Sequence, residues 1–95
     1  MSSATPLIRR QVKLNLKQGL HIRACSKVVA LVTGFSGQIR IHYQGRAADA
    51  SSMFDLVQLA ALPGSDLILE GDGDGADSII DSLEELLSAH TEPED

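Results

Sequence analysis

The chain has little aromatic character and no positive charge in its second half. It contains no Trp, one Tyr and two Phe among 95 residues, so its core must be built from Leu, Ile, Val and Ala. All eight Lys and Arg residues lie at or before Arg46, and all thirteen Asp and Glu residues at or after Asp49. The resulting net charge of −5 excludes a nucleic-acid binder that works by neutralising phosphates. A single cysteine, Cys25, excludes an intramolecular disulfide and a cysteine-only metal cluster. No apolar run approaches the roughly 20 residues of a membrane span. The start "MSSATPLIRR" also lacks the apolar stretch of a signal peptide, so no membrane association and a cytoplasmic location are expected. What remains is one domain over 1–95, ordered over about 8–90, with a modest core, loose ends and a monomeric state. If the basic half gathers around Arg23 and Lys27, acidic partner proteins would be steered there.

Residues 8 to 16, "IRRQVKLNL", alternate with Val12, Leu14 and Leu16 on one face and predict a half-buried strand. From about Ile22 the period changes. Cys25, Val28, Val29 and Val32 recur at helical spacing, and Gly34 is the expected stop. "QIRIHY" alternates through Ile39, Ile41 and Tyr43, and "QG" turns it into a short strand at 46–50. Ser51 or Ser52 can cap a second helix through "MFDLVQLA", and Pro63-Gly64 is turn chemistry. "DLILE" reads as the last strand and "GDGDGAD" as a loop, in which Asp74 or Asp77 can cap a final helix. That helix carries Ala76, Ile79, Ile80, Leu83, Leu86 and Leu87 on one face. The order β-α-β-β-α-β-α predicts an α+β fold: one four-stranded antiparallel sheet covered on one face by three helices. The tail "TEPED" is expected to be loose.

The stretch "GLHIRACS", residues 19 to 26, concentrates the chemistry. Gly19 permits a sharp turn into the helix and close approach by another molecule. His21 falls at or just before the helix start, where first-turn amides have no partner within the helix. Those amides (Ile22, Arg23 and Ala24) and the positive end of the helix dipole form a site for an anion. The same field disfavours an imidazolium, which predicts a neutral, nucleophilic ring. Arg23 adds a planar cation suited to phosphate oxygens. The sum is an anion site with a nucleophile in it, which does not by itself establish phosphoryl transfer.

With that site in place, the chain resembles the HPr family, the histidine-containing phosphocarriers of the phosphoenolpyruvate-dependent phosphotransferase system. That family carries Gly-Leu/Ile-His-x-Arg-Pro-Ala where this chain has "GLHIRAC". Its second signature, a serine opening a short helix backed by apolar residues, is similar to "SSMFDLVQL". That match puts the serine at Ser52, 31 residues after His21, as in the family. The likeness covers about residues 10 to 90 and implies the HPr-like open-faced β-sandwich. It also implies that His21 accepts a phosphoryl group on Nδ1 from phosphorylated enzyme I and passes it to an enzyme IIA domain. Arg23 and the helix amides would stabilise the transferring oxygens, in a carrier that is no free-standing enzyme and needs no cofactor of its own. Met53, Phe54 and Val57, with Lys27, would form the surface on which those partners dock. Ser52 would be the site of a regulatory serine kinase and phosphorylase. An alternative keeps the fold and makes the chain a regulatory binding protein, controlled at Ser52, with little or no transfer through His21.

Three positions depart from the family. Ala24 stands where the family has proline, which restores a backbone donor in the first turn. Ile22 is bulkier than the usual Ala or Thr, and Cys25 replaces a small Ala; burial as a small hydrophobe is the expected role of its thiol. "DGDGAD" fails the calcium-loop pattern, because position 5 is Ala76, Asp77 stands where glycine is needed and position 12 is Leu83. His42 is expected to face solvent and His90 to lie near a helix end, neither with a metal-ligand partner at suitable spacing, so no metal site is expected.

Overall fold

Period-2 alternation and helical periodicity sort the apolar side chains onto facing surfaces. The structure, a computed structural model, describes residues 7–90. Its elements are β1 (Ile8–Lys13), α1 (Ile22–Val32), β2 (Gln38–Tyr43), β3 (Arg46–Asp49), α2 (Met53–Leu59), β4 (Asp66–Asp72) and α3 (Ala76–Ser88). The strands form one sheet in the order β1-β4-β2-β3, and every neighbouring pair is antiparallel. The register sets Val12 opposite Leu67, and Ile41 opposite both Leu69 and Ala48. These residues, with Ile39 and Tyr43, make the buried face.

The three helices supply the other half of the core. α1 contributes Ala24, Cys25, Val28 and Val32, α2 contributes Leu56 and Leu59, and α3 contributes Ala76, Ile80, Leu83, Leu86 and Leu87. Each fully buried leucine is worth about 2 kcal/mol relative to exposure, so this seam holds the layers together. Arg9, Gln11, Arg40, His42 and Glu70 lie on the opposite, uncovered face. The expected α+β architecture is therefore the observed one. Among the described residues, no helix is long and apolar enough to cross a membrane.

Several boundaries differ from the sequence reading, each for a local reason. β1 stops at Lys13, not at residue 16. Leu14 and Leu16 stay fully buried, but the Leu14 amide donates to Ser65 and the Asn15 amide to Leu87, outside any ladder. β4 runs on to Asp72, because Gly71 pairs with Ile8 and Ile39, and Asp72 with Gln38. α3 is capped by neither Asp74 nor Asp77. Its cap is Gly75 in the left-handed region (φ 87°), without a side-chain hydrogen bond, and Asp77 instead accepts the adjacent Ser78 amide. At the other end of α1 the helix stops at Val32, with Gly34 left-handed as expected. The tail "TEPED" lies outside the described residues.

Candidate active site around His21

The loop into α1 is held by bonds to distant parts of the chain. Leu16 and Leu20 are buried, and between them the Gly19 amide donates to the Leu16 carbonyl at 2.9 Å. The Leu20 amide donates to the Ala61 carbonyl at 3.0 Å. Gly19 has φ +67°, and a β-carbon there would stand 2.4 Å from that same Ala61 oxygen. Both the backbone conformation and the contact therefore require glycine.

His21 is the N-cap of α1, with extended backbone (φ −85°, ψ 177°). Its carbonyl accepts the Cys25 amide at 2.9 Å, and its Nδ1 accepts the Arg23 amide at 3.3 Å. Serine, threonine, aspartate or asparagine normally fill this role; here an imidazole does. An N–H directed at Nδ1 requires a lone pair on that atom, which puts the neutral ring's proton on Nε2. The basic nitrogen thus faces the positive end of the helix. No acidic residue occupies the first turn of α1, so nothing within the helix cancels that field. Ile22 and Arg23 are exposed, whereas Ala24 is fully buried. Lys27 lies one turn beyond Arg23 on the same helix, half-buried.

An imidazole nitrogen at a helix N-terminus with no acidic residue in its first turn, followed two residues on by an arginine, is chemically suited to an anion. The family model described as "PTS HPr component phosphorylation site" matches residues 8–89. The chain belongs to the HPr family. The phosphocarrier protein HPr of Cupriavidus necator is 34% identical over 82 residues, covering 86% of this chain and 92% of the relative. The phosphocarrier protein NPr of Shewanella violacea is also 34% identical over 82 residues, covering 86% and 90%. Among solved structures, a phosphocarrier protein HPr from Bacillus anthracis superposes with a TM-score of 0.79 at 25% identity, covering 83% of this chain and 94% of that one.

Within this HPr-type fold the remaining sequence candidates separate clearly. Ser52 caps α2: its Oγ accepts the Asp55 amide at 3.2 Å. Ser51 donates its amide and hydroxyl to Asp49 at 2.9 and 2.7 Å. The Ser51 amide, then its hydroxyl, holds the Asp49 carboxyl below its usual range. Leu56 and Leu59 point inward, which leaves Met53, Phe54 and Val57 exposed at 36%, 70% and 43%. Four further large apolar residues among the described ones are exposed: Leu7, Ile22, Leu31 and Leu62. Leu62 was missed as a candidate. Its only sequence signal is an apolar side chain just before the Pro63-Gly64 turn, outside any periodic run.

Cys25 is fully buried and its Sγ lies 3.6 Å from the Leu20 carbonyl; burial pushes the thiol up to about 11. It serves as a small hydrophobe. His42 lies on the uncovered face, as expected, but its Nε2 meets Glu70 at 3.0 Å. Nor does the basic half of the sequence collect at the site. Arg9 and Arg40 meet Glu70, Arg10 meets Asp81 and Glu84, Lys13 meets Asp66, and Arg46 meets the end of α2. Among the described residues there is no group of three or more His, Cys, Asp or Glu able to hold a metal ion. A cleft of about 290 Å³, lined by residues such as Val32, Phe35 and Asp49, sits at the far end of α1 and does not include His21.

Proposed function

We propose that this chain carries a phosphoryl group on Nδ1 of His21 within a phosphotransferase relay. The observation that supports it is the Arg23 amide directed at Nδ1 from a helix N-terminus free of acidic residues in its first turn. The lone pair on Nδ1 attacks phosphorus in phosphorylated enzyme I. The new N–P bond forms as the donor's N–P bond breaks, and that electron pair returns to the donor imidazole. As the phosphoryl group arrives, the Arg23 amide exchanges Nδ1 for a phosphoryl oxygen. Arg23 and the Ile22 and Ala24 backbone supply further positive charge to those oxygens. A loose transition state asks for positioning and electrostatics rather than acid–base chemistry, and this loop offers both. The reverse sequence passes the group to a histidine of an enzyme IIA domain.

Docking falls to Met53, Phe54 and Val57, with Ile22 and Leu62 added by their exposure and Lys27 contributing charge. The relay runs in the cytoplasm, with the carrier acting as a monomer. Regulation by a serine kinase and phosphorylase would act at Ser52. A phosphate there would add negative charge beside the docking residues, although the Asp49 and Asp55 carboxylates nearby oppose it.

The test is incubation with phosphoenolpyruvate, Mg²⁺ and the host's enzyme I, followed by intact mass, with His21→Ala alongside. An acid-labile gain of one phosphate in the parent and none in the variant is the expected outcome. No gain in the parent would remove the phosphocarrier reading and leave the regulatory binding protein.

A further inference from the structure

Arg46 lies more than twenty residues from His21 in sequence, on the edge strand β3, where the ladder pairs it with Tyr43. Its guanidinium donates to the carbonyls of Gln58 at 3.2 Å and Leu59 at 2.9 Å. These are last-turn carbonyls of α2, which have no partner inside the helix, and a cation there also meets the negative end of the dipole. α2 has only seven residues, so little internal bonding resists fraying at this end. The next residue, Ala60, is left-handed at φ 49°, ψ 40°, a conformation costly for an L-residue that the surrounding contacts must hold in place. Ala61 follows, and its buried carbonyl is the acceptor for the Leu20 amide and the close neighbour of Gly19. His21 is the next residue after Leu20.

We infer that Arg46 is a positioning residue for His21. It fixes the end of α2, hence the Ala61 carbonyl, hence the loop that aims Nδ1 at the helix N-terminus. The other end of α2 is tied independently, because the Asp55 carboxylate accepts the Asp49 amide at 3.2 Å. Loss of the Arg46 contact therefore loosens 58–61 and the His21 loop while the Ser52 end stays in register. The effect on transfer rests on the phosphocarrier reading; the effect on the loop does not.

The experiment compares the parent with Arg46→Met, which keeps an apolar stem, and Arg46→Lys, which keeps the charge. Amide exchange and phosphorylation by enzyme I are measured on each. In Arg46→Met the Leu20 amide exchanges about tenfold faster, while the sheet amides of Ile41 and Leu69 change by less than about twofold. In the same variant kcat falls about fivefold and KM stays within about twofold, because alignment and not docking is lost. Arg46→Lys returns both readouts to within about twofold of the parent. Unchanged Leu20 exchange, equal acceleration at Ile41 and Leu69, or full kcat with a loosened Leu20 would each overturn the assignment. If the parent takes no phosphoryl group, the phosphocarrier reading fails, and the exchange ratio alone still accepts or rejects the contact as the anchor of the loop.

Discussion

Ala60 carries a cost that a glycine would not. Its left-handed backbone (φ 49°, ψ 40°) follows the last residue of α2, where an L-residue loses about 1 kcal/mol or more to the clash of its β-carbon. Ala60→Gly relieves that clash and gives back part of the gain through a more flexible unfolded chain. The expected net is about 0.5–1 kcal/mol of added stability, read from the urea midpoint at unchanged slope. A neutral or negative shift would mean that the methyl group contributes packing that outweighs the strain. His21 shows the opposite choice at a cap. Serine would close the helix more tightly, but its hydroxyl would not present an imidazole nitrogen to the first-turn amides. Under the proposed function, capping strength is given up for chemistry at this position, as functional sites commonly do.

The start of α1 carries the departures from the family motif at Ile22, Ala24 and Cys25, and Ala24 tests how that turn holds charge. Ala24 is fully buried while Ile22 and Arg23 are exposed, so a proline at 24 would remove a backbone donor and add ring volume inside the loop. Hydrolysis of phospho-His21 in Ala24→Pro is expected to differ from the parent by about twofold to fivefold, since one charge-assisted bond to the phosphoryl group is lost. An identical rate would show that the Ala24 amide does not touch the group. The elements themselves were largely legible, because alternation marks β1, β2 and β4, and helical spacing marks α1 and α3. The misses share a cause. β1 ends early because Leu14 and Asn15 bond to Ser65 and Leu87, and β4 runs long because Gly71 and Asp72 pair across the sheet. Such partners are far away in sequence, and local propensity carries no trace of them. His21, Arg23 and the exposed face of α2 could be read directly, since they lie in contiguous motifs. The Ala61–Leu20 bond and the Arg46 contact with α2 could not.

The division of charge along the sequence becomes complementarity in space. Strands from the basic half pair with a strand and a helix from the acidic half: Arg9 meets Glu70, Lys13 meets Asp66, and Arg10 meets Asp81 and Glu84 on α3. Folding brings the halves together, so the split steers the chain onto itself before it steers any partner to it. Glu70 is the centre of this arrangement, only 13% exposed, with Arg9 on β1 at 3.5 Å and Arg40 and His42 on β2 at 3.8 and 3.0 Å. The His42 hydrogen bond, followed by the charges of His42, Arg9 and Arg40, holds the Glu70 carboxyl below its ordinary value. A carboxylate whose folded value is lowered contributes stability above its unfolded value, and that contribution disappears as pH falls through the folded value. Glu70→Gln should therefore cost about 1 kcal/mol near neutral pH, the scale of a half-exposed ion-pair network. Urea unfolding of parent and variant, at neutral pH and in acid, then checks the sign, with the two stabilities converging as pH falls through the folded value of the parent carboxyl. A gap of equal size at both pH values would show that the substitution loses packing or a neutral hydrogen bond, and that the charge of Glu70 ties β1, β4 and β2 together no more than its shape does.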